Sequence, residues 1–221
     1  MDSSQEGEAI ETPGLLRAPR LGLFGGTFDP VHLGHLHVAR TALDSYELDG
    51  VLFVPAARSP HKEASTSASP ADRLAMLRLA LAGEPRFALS DLELRRGAPS
   101  FTADTVTELL RQRAGLVGGE LFLILGSDNL KGLGSWRDVE AILADTTPIV
   151  VARSGVELEV LDGEGLSDRA TERLRAGYLD RAPVDVAATE LRDALARGAG
   201  GAQLPPAVWE YVRGRGIYVA R

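Results

Sequence analysis

From Arg20 almost to the end, short apolar runs alternate with stretches of mixed character. Residues 21–24, 51–54, 121–125 and 149–152 carry no polar or charged side chain. This pattern predicts strands covered on both faces, because a half-exposed strand would alternate in polarity. Apolar positions recur near the helical period over 36–48, 71–81, 103–113 and 137–143, and these stretches are predicted helices. Ser69-Pro70-Ala71-Asp72 sets a capping hydroxyl before a proline at the first helical position. Ser135-Trp136-Arg137-Asp138 reads as a capping box with Asp in place of Glu. Glycines at 155, 163, 165 and 177 interrupt residues 153–181, which are predicted to form a variable connection with one short helix. Residues 184–186 read as a last short strand, followed by helices over 189–196 and 206–213.

Strands alternating with helices imply right-handed crossovers. The expected fold class is therefore α/β: a Rossmann-like, doubly wound, mostly parallel sheet with helices on both faces and a small C-terminal helical part.

Length and composition narrow the picture. A chain of 221 residues fits one domain over 20–221, with the polar, acidic residues 1–19 predicted to be a disordered tail. That opening lacks the basic start and apolar run of a secretory signal, and no run of residues is apolar enough to span a membrane. The 24 basic and 31 acidic side chains leave a net charge of −7. That balance argues against a general nucleic-acid binder while allowing a local basic pocket for a small phosphorylated ligand. With no cysteine, a disulfide framework, a cysteine zinc site and thiol catalysis are excluded, and a cytoplasmic location is the default expectation.

The chemistry concentrates after the first strand, in Gly25-Gly26-Thr27-Phe28-Asp29-Pro30-Val31-His32-Leu33-Gly34-His35-Leu36. Two glycines at a strand's carboxyl end let the backbone approach a ligand closely, and a helix start just beyond offers N–H groups to an anion. His32 and His35, three residues apart, would face that anion site. Three of the four histidines fall at positions 32, 35 and 37. Zinc binding by them is disfavoured because only Asp29 stands nearby as a carboxylate ligand, so no protein-held metal is expected.

This segment resembles the H-x-G-H signature of the nucleotidylyltransferase superfamily. Further segments are similar to those of the bacterial-type nicotinate-nucleotide adenylyltransferases. They are Pro60-His61-Lys62, Pro99-Ser100-Phe101-Thr102-Ala103-Asp104-Thr105, Gly126-Ser127-Asp128-Asn129-Leu130 with Trp136 after it, Val186-Ala187-Ala188-Thr189-Glu190-Leu191-Arg192, and the closing Leu204-Pro205-Pro206 to Tyr218. They run in order over nearly the whole chain. Two positions depart from the pattern: Phe101 stands where that family usually has Tyr, and Ala187 where it usually has Ser.

The resemblance implies transfer of the adenylyl group of ATP to nicotinate mononucleotide, giving deamido-NAD and pyrophosphate by direct in-line displacement in NAD biosynthesis. It also implies Mg²⁺ carried with ATP. His32, His35, Lys62 and Arg192 are the implied catalytic residues. Gly25, Gly26, Thr27, Phe28, His35, Gly126, Asp128, Thr189 and Arg192 are expected to bind ATP, and Thr27, Lys62, Thr102 and Trp136 the mononucleotide. Each has a plainer alternative. Taken alone, Arg192 reads as an exposed helix arginine, Asp128 as a turn residue, Lys62 as a solvated charge, Thr102 as a helix cap and Trp136 as a staple at a helix start. Two other functions stay open: a related adenylyltransferase with another phosphorylated acceptor, and a nucleotide-binding sensor without turnover. The partners expected are the two substrates, with neither nucleic acid nor membrane; a homo-oligomer is compatible with the sequence.

Overall fold

The structure is a computed structural model that describes residues 13–58, 68–152, 158–163, 165–180 and 186–218. Its strands are β1 (Arg20–Gly26), β2 (Gly50–Pro55), β3 (Phe87–Leu89), β4 (Glu120–Gly126), β5 (Thr147–Val151) and β6 (Tyr178–Leu179). They form one sheet in the order β3-β2-β1-β4-β5-β6, and every pairing is parallel. This is the order of a doubly wound dinucleotide-binding sheet. The chain reverses direction across the sheet between β1 and β4, which opens a crevice at their carboxyl ends.

The helices among the described residues are α1 (Pro13–Leu16), α2 (Leu33–Ser45), α3 (Pro70–Leu81), α4 (Leu92–Arg96), α5 (Thr102–Gln112), α6 (Val139–Asp145), α7 (Asp168–Ala176), α8 (Ala188–Ala196) and α9 (Pro206–Arg215). Because successive side chains of a strand point to opposite faces, each strand feeds two cores. Phe24, Phe53, Phe122, Ile124 and Val151 pack on one face with residues of α2, α3, α8 and α9. Leu23, Leu52, Leu121, Leu123 and Val150 pack on the other with residues of α5, α6 and α7. Each buried Leu or Phe contributes about 1.5–3 kcal/mol by leaving water, so both layers are needed to offset the chain's conformational entropy.

The predicted four main strands and the helices between them are all present. The predicted strand at 184–186 falls mostly outside the described residues, of which only Val186, outside any strand, is described. Among the described residues the last strand is β6, inside the stretch read as a variable connection. There Gly177 is required, because a Cβ would stand 2.1 Å from the Pro148 carbonyl oxygen. The short helix expected in that stretch is α7, capped by Ser167, whose side chain accepts from the Ala170 N–H.

The Ser69 cap forms as expected, accepting from the Asp72 N–H ahead of Pro70. The predicted capping box at Ser135 does not form. Ser135 ends a 3₁₀ turn and donates to the Gly132 carbonyl, while α6 starts at Val139 behind Asp138, which has φ 54°. Residues 13–19, assigned to the tail by their polarity and position, carry α1. They are fastened by Arg113, which donates to the carbonyls of Leu16, Ala18 and Pro19.

Candidate active site

The signature segment runs from the carboxyl end of β1 over a tight loop into α2. A Cβ on Gly26 would press on the Phe28 ring at 3.0 Å, whereas one on Gly25 would project into open space. Gly26 thus answers to packing, and Gly25 leaves room beside the strand end. Phe28 has φ 49° and is 1% exposed, with its ring edge-on to Phe24 and His35. Its side chain is a core residue, so its backbone is what it can offer a ligand.

His32 is the residue preceding α2 and is fully buried, stacked on the half-buried His35 with ring centres 3.7 Å apart. The His35 Nδ1 accepts the His32 backbone N–H at 3.2 Å. A ring nitrogen that accepts carries no proton, so the proton resides on Nε2 and makes His35 an N–H donor there. The geometry gives the two histidines different places: His35 at the helix start beside the glycine loop, and His32 behind it.

Arg192 reaches the same loop from α8. Its Nη1 donates to the Asp29 carbonyl at 2.8 Å and its Nη2 to the Thr189 hydroxyl at 3.2 Å. Thr189 and Arg192, both expected at the ATP site, thus lie together beside the loop. Ala187 is the residue capping α8, with extended backbone and no side-chain cap, so the hydroxyl missing here is a cap hydroxyl.

On the other face of the sheet a cavity opens between the ends of β1 and β4. Gly25, Gly26 and Thr27 line it on one side, and Thr102, Trp136 and Asn129 on the others. The expected mononucleotide residues Thr27, Thr102 and Trp136 are thus gathered in one place. Thr102 is the first residue of α5, and the capping position belongs to Phe101, which corrects its reading as a cap. Trp136 is half-buried against the second core and lies before α6, not at its start. Gly126 ends β4, and Asp128 is exposed just beyond it, while its neighbour Asn129 faces the cavity and donates to the Gly126 carbonyl. Lys62 lies outside the described residues.

Further residues hold the site together. Arg73 of α3 is fully buried and donates to the carbonyls of Thr27 at 2.7 Å and Ala56 at 2.8 Å. Burial pulls its guanidinium below the usual value, opposed by the Asp29 carboxylate. Asp29 itself accepts from the Tyr218 hydroxyl at 2.6 Å, and burial followed by that hydrogen bond pushes the phenol upward. Ser100 accepts from the Ala57 N–H at 2.9 Å, pinning the exit of β2. Glu93, buried at the cavity wall, accepts from the Thr105 hydroxyl at 2.6 Å. Arg137 lies over the Phe101 ring at 3.9 Å and pairs with Asp104. In sequence, Arg73 looks like any helix arginine; its only mark is an apolar neighbourhood on the α3 face.

Comparison with known proteins agrees with this geometry. The cytidylyltransferase-like family matches residues 23–194. A protein of Neisseria meningitidis named probable nicotinate-nucleotide adenylyltransferase is 40% identical over 206 residues, covering 90% of this chain and 98% of its own length. Proteins of the same name from a Synechococcus species and Rubrobacter xylanophilus are 39% and 38% identical, covering 90% and 91% of this chain and 95% and 92% of theirs. Among solved structures, a Plasmodium falciparum nicotinic acid mononucleotide adenylyltransferase complexed with NaAD superimposes with a TM-score of 0.71. It is 15% identical, covering 90% of this chain and 96% of that one, and shares the fold. The chain belongs to the cytidylyltransferase-like family and, within it, to the nicotinate-nucleotide adenylyltransferases.

Proposed function

We propose that the protein transfers the adenylyl group of ATP to nicotinate mononucleotide, with the two substrates presented from opposite faces of the sheet and joined above the carboxyl end of β1. The supporting observation is the division of side chains around Gly25–Thr27. His35, Thr189 and Arg192 come from α2 and α8, which pack on one face; Thr102 and Trp136 belong to the cavity on the other. A triphosphate suits the first set, which combines a helix start, an imidazole N–H and a guanidinium. A pyridine ring suits the second, where the flat face of Trp136 can stack on it.

In the reaction, an oxygen of the mononucleotide phosphate attacks the α-phosphorus of ATP. The bond from that phosphorus to the bridging oxygen breaks, and pyrophosphate leaves with the electron pair. No protein nucleophile is needed, so the residues act by alignment and by meeting developing charge. His35 donates its Nε2 N–H to the phosphate chain, backed by His32, and Arg192 supplies positive charge next to it. Lys62 is assigned the same task from the loop after β2. Mg²⁺ enters as part of the ATP substrate, because a hard cation prefers phosphate oxygens to the nitrogen donors gathered here. Among the described residues, no cluster of three or more metal-ligating side chains exists to hold it separately.

The acid form of the acceptor is favoured by the start of α5. The first N–H groups of a helix have no intrahelical acceptor and carry its positive dipole end, which suits a carboxylate better than a carboxamide. Trp136 offers no such donors, because α6 starts only at Val139. Pyrophosphate release measured with ATP and a panel of phosphorylated acceptors tests the proposal. Release with nicotinate mononucleotide above the other acceptors is the expected result. Release only with a different acceptor would reassign the substrate, and release with none would leave a nucleotide sensor.

A further inference from the structure

The segment between the glycines and the histidines is held from three directions. Arg73 fixes the Thr27 carbonyl, Arg192 fixes the Asp29 carbonyl, and Tyr218 donates to the Asp29 carboxylate. Between those points Phe28 sits at φ 49°, a left-handed conformation that a bulky residue leaves unless its surroundings enforce it. The Asp29 side chain is 4% exposed and accepts a second hydrogen bond from the Ala68 N–H at 3.0 Å. A carboxylate so deeply buried depends on its donors, since it keeps little of its hydration. The tyrosine donor comes from beyond α9, 189 residues away in sequence. Its ring packs against the first core, so hydroxyl and ring are separable contributions.

We propose that Tyr218 is a positioning residue for adenylyl transfer: through Asp29, its hydroxyl sets the loop from which His32 and His35 start and on which Arg192 rests. The inference rests on the adenylyl-transfer reading. Removing the hydroxyl leaves the buried carboxylate one donor short. Asp29 then turns toward whatever donor or water it can reach, and the strained Phe28 peptide relaxes with it. His35 and Arg192 are both referred to this loop, so their alignment on the phosphates loosens together. In the cavity, Thr102 and Trp136 stand on other elements, and the loop wall at Thr27 is held separately by Arg73, so the cavity keeps its shape. The effect therefore belongs in kcat, with little change in the KM for the mononucleotide.

The test is steady-state pyrophosphate release by Tyr218→Phe, Asp29→Asn and the double variant, at a temperature well below each variant's unfolding transition. Tyr218→Phe keeps the ring and is expected to lower kcat about ten-fold, since small misplacements of reacting groups already cost that much. The KM for the mononucleotide should stay within about two-fold of wild type, the scatter expected between independent sites. Asp29→Asn keeps an acceptor oxygen and should lower kcat in the same direction. The double variant should be no slower than the worse single variant, because both act through one contact. A Tyr218→Phe enzyme with a lower Tm but wild-type kcat would reduce the tyrosine to a structural role and overturn the inference, as would losses that multiply in the double variant. Should Tyr218→Phe fail to fold, Asp29→Asn decides: a kcat loss at unchanged mononucleotide KM supports the inference, and an unchanged kcat overturns it. Wild-type protein that releases no pyrophosphate with any acceptor would instead overturn the functional reading beneath it.

Discussion

His35 has a task that its geometry defines closely. Its Nδ1 is committed to the His32 N–H, so the ring can only donate from Nε2, and a donor held in place before the reaction begins loses nothing to reorganisation. His35→Ala is expected to fold normally and lose about 10²–10³ in kcat, measured by pyrophosphate release. Near-normal turnover would remove His35 from the reaction. Arg192 and Thr189 bond each other and the loop, so Arg192→Ala should raise the KM for ATP more than that for the mononucleotide. Ala187 offers a gain rather than a loss. It stands at the capping position of α8 without a side-chain acceptor, and Ala187→Ser should stabilise the fold by about 1 kcal/mol, raising Tm by about 2–4 °C. A serine there that lowers Tm or weakens ATP binding would show that the site needs the alanine for packing.

At this scale the sequence is informative about the residues proposed to touch ligands and says less about those that hold them. His35, Thr189, Arg192, Thr102 and Trp136 belong to short ordered motifs. Arg73 belongs to none, and although Asp29 and Tyr218 each lie in one, the three meet only because distant segments fold together, which no local pattern reports. Phe28 shows the opposite error: it belongs to the signature, yet its side chain is buried in the core.

Among the elements, the long strands were readable because both faces are covered and the runs are continuously apolar. The edge strands β3 and β6, with three and two residues, are too short to carry any period and exist through pairing with β2 and β5. The start of α6 was misplaced because Ser135 has the composition of a cap while its hydroxyl serves a preceding turn. Elsewhere the element contacts are specific. The start of α3, which carries Arg73 into the site, is joined to α9 by Asp72, which accepts from Tyr211 at 2.9 Å and from Arg215. The Ser69 hydroxyl, then Tyr211 and Arg215, hold the Asp72 carboxyl below its ordinary value. A carboxyl depressed in the folded state contributes stability above its unfolded pKa, near 3.9, and loses it as pH falls through the folded value. Asp72→Asn should therefore lower Tm at neutral pH and flatten the decline of Tm below about pH 4. An acid limb as steep as that of wild type would show that Asp72 does not contribute to it.

For the whole molecule, the strand order explains why the site is where it is. The reversal between β1 and β4 brings a glycine loop, a helix start and a cavity to one edge, while α2 and α8 stand on one side and α5 and Trp136 on the other. Two anionic substrates can then approach from opposite faces of a protein whose net charge is −7, because the local donors outweigh the distant, screened surface charge. In the proposed arrangement Trp136 gives the acceptor ring a surface but reads no charge, so Trp136→Ala should weaken the acid and amide mononucleotides by similar factors. The proposed reader of the charge is the start of α5. The most direct measurement is kcat/KM for nicotinate mononucleotide and for nicotinamide mononucleotide, with ATP saturating and the dinucleotide product identified. The account predicts deamido-NAD and pyrophosphate in equal amounts and a clear preference for the acid; equal values for the two acceptors, or a preference for the amide, would contradict it.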